Sequence, residues 1–90
     1  MSGLLLIVPD NKYIADMAIN LWQPLCSELG CTLEILNITN PKTRELMLTV
    51  GLSTYPALLV GKIVKAVGIP DMDRARQLLK KEKEICKKTG

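Results

Sequence analysis

The chain has 90 residues, of which 48% are hydrophobic and 23% are charged, and its formal net charge is +3. This length fits a single domain, residues 1–90, and the aliphatic content with low charge excludes an intrinsically disordered chain. The longest apolar run, residues 4–9, is too short for a membrane span or a secretory signal, so we expect a soluble, cytoplasmic protein that binds no membrane.

The residue types that the chain lacks exclude several kinds of site. Histidine is absent, which removes Ser–His and Cys–His nucleophile pairs and most zinc sites. Aromatic residues make up only 3%, and a net charge of +3 attracts phosphates weakly, which argues against a nucleic-acid partner. The three cysteines lack metal-ligand spacing and no glycine-rich phosphate loop occurs, so we expect no metal and no cofactor.

The chain begins with a predicted strand and a predicted helix. The apolar run Leu4–Val8 is followed by turn residues and is typical of a strand buried on both faces. Apolar residues then recur with helical spacing over residues 14–29, after a helix cap at Asp10 or Asn11. Pro24 lies within this helix and is expected to kink it or to remove one backbone hydrogen bond.

A second strand and a second helix follow. Gly30 ends the first helix, and residues 32–39 alternate and are rich in β-branched side chains, which predicts a strand. Pro41 suits the first turn of the next helix, which ends at Gly51.

The rest of the chain predicts a β-hairpin and a third helix. Gly61-Lys62 fits a two-residue turn between strands at Ala57–Val60 and Ile63–Val67, and Pro70-Asp71 opens the last helix. The order is therefore β-α-β-α-β-β-α. Because strands joined through a helix are parallel, the sequence predicts an α/β fold with a four-stranded mixed sheet and helices on both faces.

This order of elements, with a proline opening the third strand, resembles the thioredoxin and glutaredoxin family, and above all the small archaeal thioredoxin-like proteins. The likeness covers residues 4–80. The matching segments are Trp22-Gln23-Pro24-Leu25, Ile35-Leu36-Asn37-Ile38, Asn40-Pro41, Gly51–Val60 and Val67-Gly68. The resemblance implies a thioredoxin-like fold, a cis peptide bond before Pro56, and a groove beside that proline where an extended peptide adds as a strand.

The redox motif of that family, Cys-X-X-Cys at the start of the first helix, is missing. The corresponding loop spans residues 9–16, or residues 16–19 if the alignment starts from Pro24, and neither stretch contains a cysteine. The dithiol mechanism needs a low-pKa thiolate at this helix start. We therefore assign no catalytic residue and favour a protein that is not an enzyme.

The three cysteines lie elsewhere. Cys26 and Cys31 lie at the opposite end of the first helix, where the helix dipole raises a thiol pKa, and we interpret them as small buried hydrophobic residues. A regulatory disulfide between them requires Cα atoms closer than ~7 Å. Cys86 is surrounded by lysines and is either a reactive thiol or the last apolar contact of the final helix.

We therefore expect a non-catalytic module, a monomer or weak homodimer, that binds a protein or peptide in the groove beside Pro56. The predicted binding residues are Lys12, Tyr13, Thr54, Tyr55 and Pro56. One alternative is a thiol–disulfide oxidoreductase, or a redox-regulated protein, that uses Cys86 or the Cys26/Cys31 pair. Another is a regulatory or oligomeric scaffold similar to the circadian-clock proteins of the thioredoxin-like class, which also lack the dithiol.

Overall fold

A computed structural model of the protein describes residues 3–89, with side chains for residues 3–82. Its strands and helices are β1 Gly3–Val8, α1 Lys12–Leu29, β2 Thr32–Asn37, α2 Pro41–Val50, β3 Ala57–Val60, β4 Ile63–Val67 and α3 Met72–Thr89. The order of elements predicted from the sequence is confirmed.

The second strand ends two residues earlier than the alternation predicts. The Asn37 side-chain oxygen accepts hydrogen bonds from the backbone N–H and the hydroxyl of Thr39, at 2.9 and 2.8 Å. The Asn40 N–H donates to the Asn37 carbonyl at 3.0 Å. These bonds close a turn, because a short polar side chain that binds the backbone two residues ahead competes with continued strand pairing.

The sheet is open, mixed and four-stranded, in the order β2-β1-β3-β4. β1 is parallel to β2, and β3 is antiparallel to both β1 and β4. The predicted hairpin turn is confirmed: Val60 pairs with Ile63, and Gly61 between them has a φ of 63°. A two-residue turn that follows the right-handed strand twist needs a positive φ at its first position, which favours glycine there.

Helices cover both faces of the sheet, as predicted. On one face, alternate residues of β1 and β3 pack against α1 and α3, in a cluster that includes Leu6, Trp22 and Leu79, each at most 1% exposed. On the other face, Ile7 and Leu59 form the buried centre of a smaller cluster with partly buried residues of α2. The molecule is therefore an α/β fold of one sheet between two unequal helical layers.

Helix α1 continues through Pro24, which is exposed. Proline has no N–H, so the helix lacks one backbone hydrogen bond at this point, on a side that faces solvent. The capping question is settled in favour of Asn11, whose side-chain oxygen accepts from the N–H groups of Tyr13 and Ile14 at 3.0 and 3.3 Å.

None of the helices in the described part of the chain combines the length and the apolar character that crossing a lipid bilayer requires.

Candidate binding surface

Three chain segments meet at the carboxyl end of β1. Ala57, the first residue of β3, pairs with Ile7 on one side and with Val67 on the other. Beyond this pair the ladder continues for one step, since the Gly68 N–H donates to the Pro56 carbonyl at 2.7 Å. The loop after β1, the segment before β3 and the segment after β4 therefore lie at the same end of the sheet.

Exposed apolar side chains are concentrated in and next to these segments. We define the apolar end surface as Tyr13, Met17, Tyr55, Val67, Ile69 and Met72, which are 37–73% exposed. Only three other large hydrophobic side chains in the described residues are comparably exposed: Ile35, Leu48 and Ile63. Since singly scattered apolar residues are ordinary on protein surfaces, the grouping of six at one end is the informative feature.

The apolar end surface has two parts. Tyr13 and Met17 lie four residues apart on α1, on the side opposite the buried Ala15 and Ala18, so they face solvent. The other four residues lie around the start of β3, the end of β4 and the start of α3. The predicted residues Lys12 and Tyr13 are therefore at the same end of the sheet as Tyr55 but are carried by a separate helix.

The predicted groove residues differ in what they expose. Thr54 and Tyr55 are exposed, whereas Pro56 is buried and its carbonyl is occupied by Gly68. The Tyr55–Pro56 peptide bond is cis, as the family resemblance implies. Within the described residues, no hydrogen bond joins the backbone of Thr54 or Tyr55 to another residue. Thr54 and Tyr55, rather than Pro56 itself, thus offer free polar groups and an aromatic ring to a ligand.

Carboxylates outnumber cations around this surface. The stretches 9–17, 54–56 and 67–74 contain four aspartates, one lysine and one arginine, which sum to −2 in a chain of net +3. One of the carboxylates, Asp71, accepts from the Arg74 N–H at 2.8 Å and so caps α3. The local field therefore favours a cationic partner over an anionic one.

The residues Val67, Ile69 and Met72 were not among the site residues predicted from the sequence. Their signal is weak: Ile69 is an apolar residue between Gly68 and Pro70, outside any element. The two-residue turn predicted at Gly61-Lys62 would place Ala66 opposite Ala57. A register shift between Leu58 and Leu59 places Val67 there instead, and the sequence does not predict that shift.

Neither of the two cysteines whose side chains the structure describes, Cys26 and Cys31, lies at this surface. Cys26 is buried, and burial first and the neighbouring Cys31 second raise its pKa to about 11. The expected direction of the Cys26 shift is thus confirmed, although its cause is desolvation and the nearby thiol rather than the helix dipole. Cys31 is half-buried, not fully buried as expected, because it lies just beyond the helix. The side chain of Cys86 lies outside the described residues.

No group of three or more cysteine, aspartate or glutamate side chains in residues 3–82 is arranged to hold a metal ion.

Comparison of the chain with protein-family models, with curated proteins and with solved structures finds no match. The likeness to thioredoxins therefore rests on the sequence segments and the order of elements described above.

Proposed function

We propose that this chain is a thioredoxin-like domain without the redox dithiol, and that it binds an extended segment of a partner protein at the apolar end surface. The observation that carries the proposal is the cluster of exposed apolar side chains beside Tyr55, at the end of the sheet where the chain has no cysteine. Exposed apolar clusters on small proteins mark interaction sites.

The architecture supports the fold part of the proposal. A parallel β1–β2 pair joined through α1, an antiparallel β3 between β1 and β4, and a proline at the start of β3 are all compatible with a thioredoxin-like arrangement. Of the segments that resemble the family, Asn40-Pro41 lies at the start of α2 and Tyr55-Pro56 directly precedes β3. Because one fold supports many functions, the binding function is argued from the surface itself.

The free backbone groups of Thr54 and Tyr55 support recognition of an extended chain. Peptides that add to a sheet gain affinity from main-chain hydrogen bonds and gain specificity from contacts of alternate side chains. Tyr55 is 47% exposed, and its ring is carried by the same stretch of backbone as those free groups. Tyrosine supplies a large contact area at low conformational cost, which suits it to the centre of an interface.

The chemistry of the partner segment follows from the surroundings. Val67, Ile69 and Met72 favour apolar side chains in the ligand, and the excess of carboxylates in stretches 9–17 and 67–74 favours lysine or arginine beside them. We therefore assign an extended, apolar and basic segment of a protein as the ligand.

Selection of random peptides displayed on phage against the full chain tests this proposal. We expect enrichment of sequences that combine apolar residues with lysine or arginine. A synthetic copy of an enriched peptide should shift the backbone amide NMR signals of residues 54–56 and 67–72. In fluorescence anisotropy, Tyr55→Ala should raise the Kd of this peptide at least about tenfold, since truncating a central interface aromatic costs more than about 1.4 kcal/mol.

Leu48→Ala is the matched control, because Leu48 is the most exposed apolar residue of α2 and does not belong to the apolar end surface. It should leave the Kd unchanged. Failure of the selection to enrich any peptide, or equal binding by the wild type and Tyr55→Ala, would refute the proposed surface.

A further inference from the structure

The carboxyl end of α1 is closed by backbone hydrogen bonds from Gly30 and Cys31 to the carbonyls of Cys26 and Ser27. The Cys31 N–H donates to the Cys26 carbonyl at 2.8 Å, and the Gly30 N–H donates to the Ser27 carbonyl at 3.4 Å. Gly30 has a φ of 73°, in the left-handed region. This pattern is the Schellman motif, in which the chain reverses direction around a left-handed glycine.

The motif fixes which side chains meet. The residue after the glycine characteristically packs against the residue five positions earlier, the one whose carbonyl it binds. In this chain both of those residues are cysteines, Cys31 and Cys26. Cys26 belongs to the core cluster on the α1 and α3 face of the sheet, and Cys31 packs against the same cluster.

We propose that Cys26 and Cys31 are a reversible disulfide-forming pair, oxidised by a small disulfide such as oxidised glutathione. A disulfide needs Cα atoms roughly 4.4–6.8 Å apart and Cβ atoms that approach each other. The Cys31–Cys26 backbone hydrogen bond keeps the two chain segments in direct contact, and the Schellman geometry turns both side chains toward the same cluster. This site is at the opposite end of α1 from the apolar end surface, so it is independent of the proposed binding function.

The oxidation occurs in two thiol–disulfide exchanges. The Cys31 thiolate attacks one sulfur of oxidised glutathione, which breaks the glutathione S–S bond, forms a mixed disulfide and releases one glutathione thiolate. The Cys26 thiolate then attacks the Cys31 sulfur, forms the Cys26–Cys31 bond and releases the second glutathione. Two protein thiols are oxidised, one glutathione disulfide is reduced to two thiols, and the two thiol protons pass to the departing glutathione thiolates.

The order of attack follows from exposure. Cys31 is half-buried and accessible to a small disulfide, whereas Cys26 is 2% exposed. Burial and the neighbouring Cys31 also raise the pKa of Cys26 to about 11, so little Cys26 thiolate is present at neutral pH. The second exchange needs the Cys26 thiolate, so its rate should rise with pH.

The full chain carrying Cys86→Ser tests the pair without interference from the third cysteine. The variant is equilibrated in glutathione buffers of graded potential, quenched with acid, unfolded, alkylated with a mass tag and analysed by mass spectrometry. We expect Cys26 and Cys31 to escape alkylation together as the potential rises, with no glutathione adduct at equilibrium. The bridge should be at least about tenfold more stable in the folded protein than in the same chain in concentrated urea, a difference of about 30 mV for a two-electron couple.

Two further variants supply the controls. Cys31→Ser with Cys86→Ser should remain fully reduced, and Cys26→Ala with Cys86→Ser should accumulate only the Cys31–glutathione adduct. Fluorescence of Trp22, the single tryptophan of the chain and 1% exposed, reports that each variant is folded. A stable Cys31–glutathione adduct beside a free Cys26 thiol would overturn the proposal. A bridge no more stable in the folded protein than in urea would overturn it equally.

Discussion

The two ends of α1 differ in almost every property that determines thiol chemistry. At the start, the Asn11 side chain caps the helix, the neighbouring apolar side chains are exposed, and no cysteine is present. At the other end, a left-handed Gly30 closes the helix and brings Cys31 beside the buried Cys26. A helix start stabilises a thiolate, whereas burial at the other end destabilises it.

This contrast separates binding from thiol chemistry within one helix. The start of the helix lies beside an exposed apolar surface and carries no cysteine. The end that carries the thiols holds them at the helix cap beside the core, where a disulfide would cross-link the turn at Gly30. The position of a cysteine relative to helix dipole and core, more than its presence, thus determines its chemistry.

Both ends depend on how the middle of α1 packs on the sheet, and Leu21→Ala breaks that packing. Leu21 is 8% exposed and belongs to the larger core cluster. Removing its side chain should lower the free energy of unfolding by about 2–5 kcal/mol, through lost burial and the cavity left behind. Urea titration followed by Trp22 fluorescence measures the loss. A midpoint close to that of the wild type would contradict this placement of α1.

The pH dependence of stability tests the thiol end. The pKa of Cys26 is about 11 in the folded protein against an ordinary value of 9.0, so folding favours the protonated thiol. Its stabilising contribution is complete below pH 9.0 and is lost as the pH rises through about 11. Between about pH 8 and pH 11 the wild type should lose roughly 1–3 kcal/mol more than Cys26→Ala.

The wild type and Cys26→Ala share every other ionisable side chain, so the difference between their curves isolates Cys26 and its interaction with Cys31. Parallel stability curves for the two proteins would mean that Cys26 is not desolvated as described.

The sequence predicted the elements better than the surface. Both ends of α1 and α2 were predictable because each carries its own local signal: Asn11 as a candidate cap, Pro41 in a first turn, and Gly30 and Gly51 as terminators. The hairpin at Gly61 was equally local. The early end of β2 was missed, since the Asn37 and Thr39 bonds that close the turn compete with an alternation pattern that continues past them.

The candidate surface depends on pairings between distant segments. Tyr55 was identified through its place before Pro56, but Val67 and Ile69 join it only because Ala57 pairs with Val67 and Pro56 with Gly68. A one-residue change of register would move every side chain of β4 to the other face. The predicted two-residue turn would place Ala66 opposite Ala57, but a register shift between Leu58 and Leu59 places Val67 there instead. No local signal in the sequence predicts that shift, so this part of the site was not predictable.

At the start of α1, Asn11→Ala tests the cap. The Asn11 side-chain oxygen accepts from two N–H groups of the first turn, and alanine leaves both without that acceptor. We expect a loss of about 1 kcal/mol in the free energy of unfolding by urea titration. Asn11→Asp is the matched control and should retain most of the stability. Equal losses in the two variants would show that the cap is not what stabilises this end.

Tyr55→Ala should have the smallest effect on stability, and this is what distinguishes a binding residue from a packing residue. Tyr55 is 47% exposed and, within the described residues, its backbone makes no hydrogen bond, so its removal should change the free energy of unfolding by less than about 0.5 kcal/mol. The same variant is expected to lose peptide binding. If urea titration instead shows a loss comparable to that of Leu21→Ala, the ring stabilises the end of β3, and any loss of binding would then report unfolding. A stable variant that no longer binds would place the recognition function at the start of β3 and leave the thiols at the far end of α1 to a separate role.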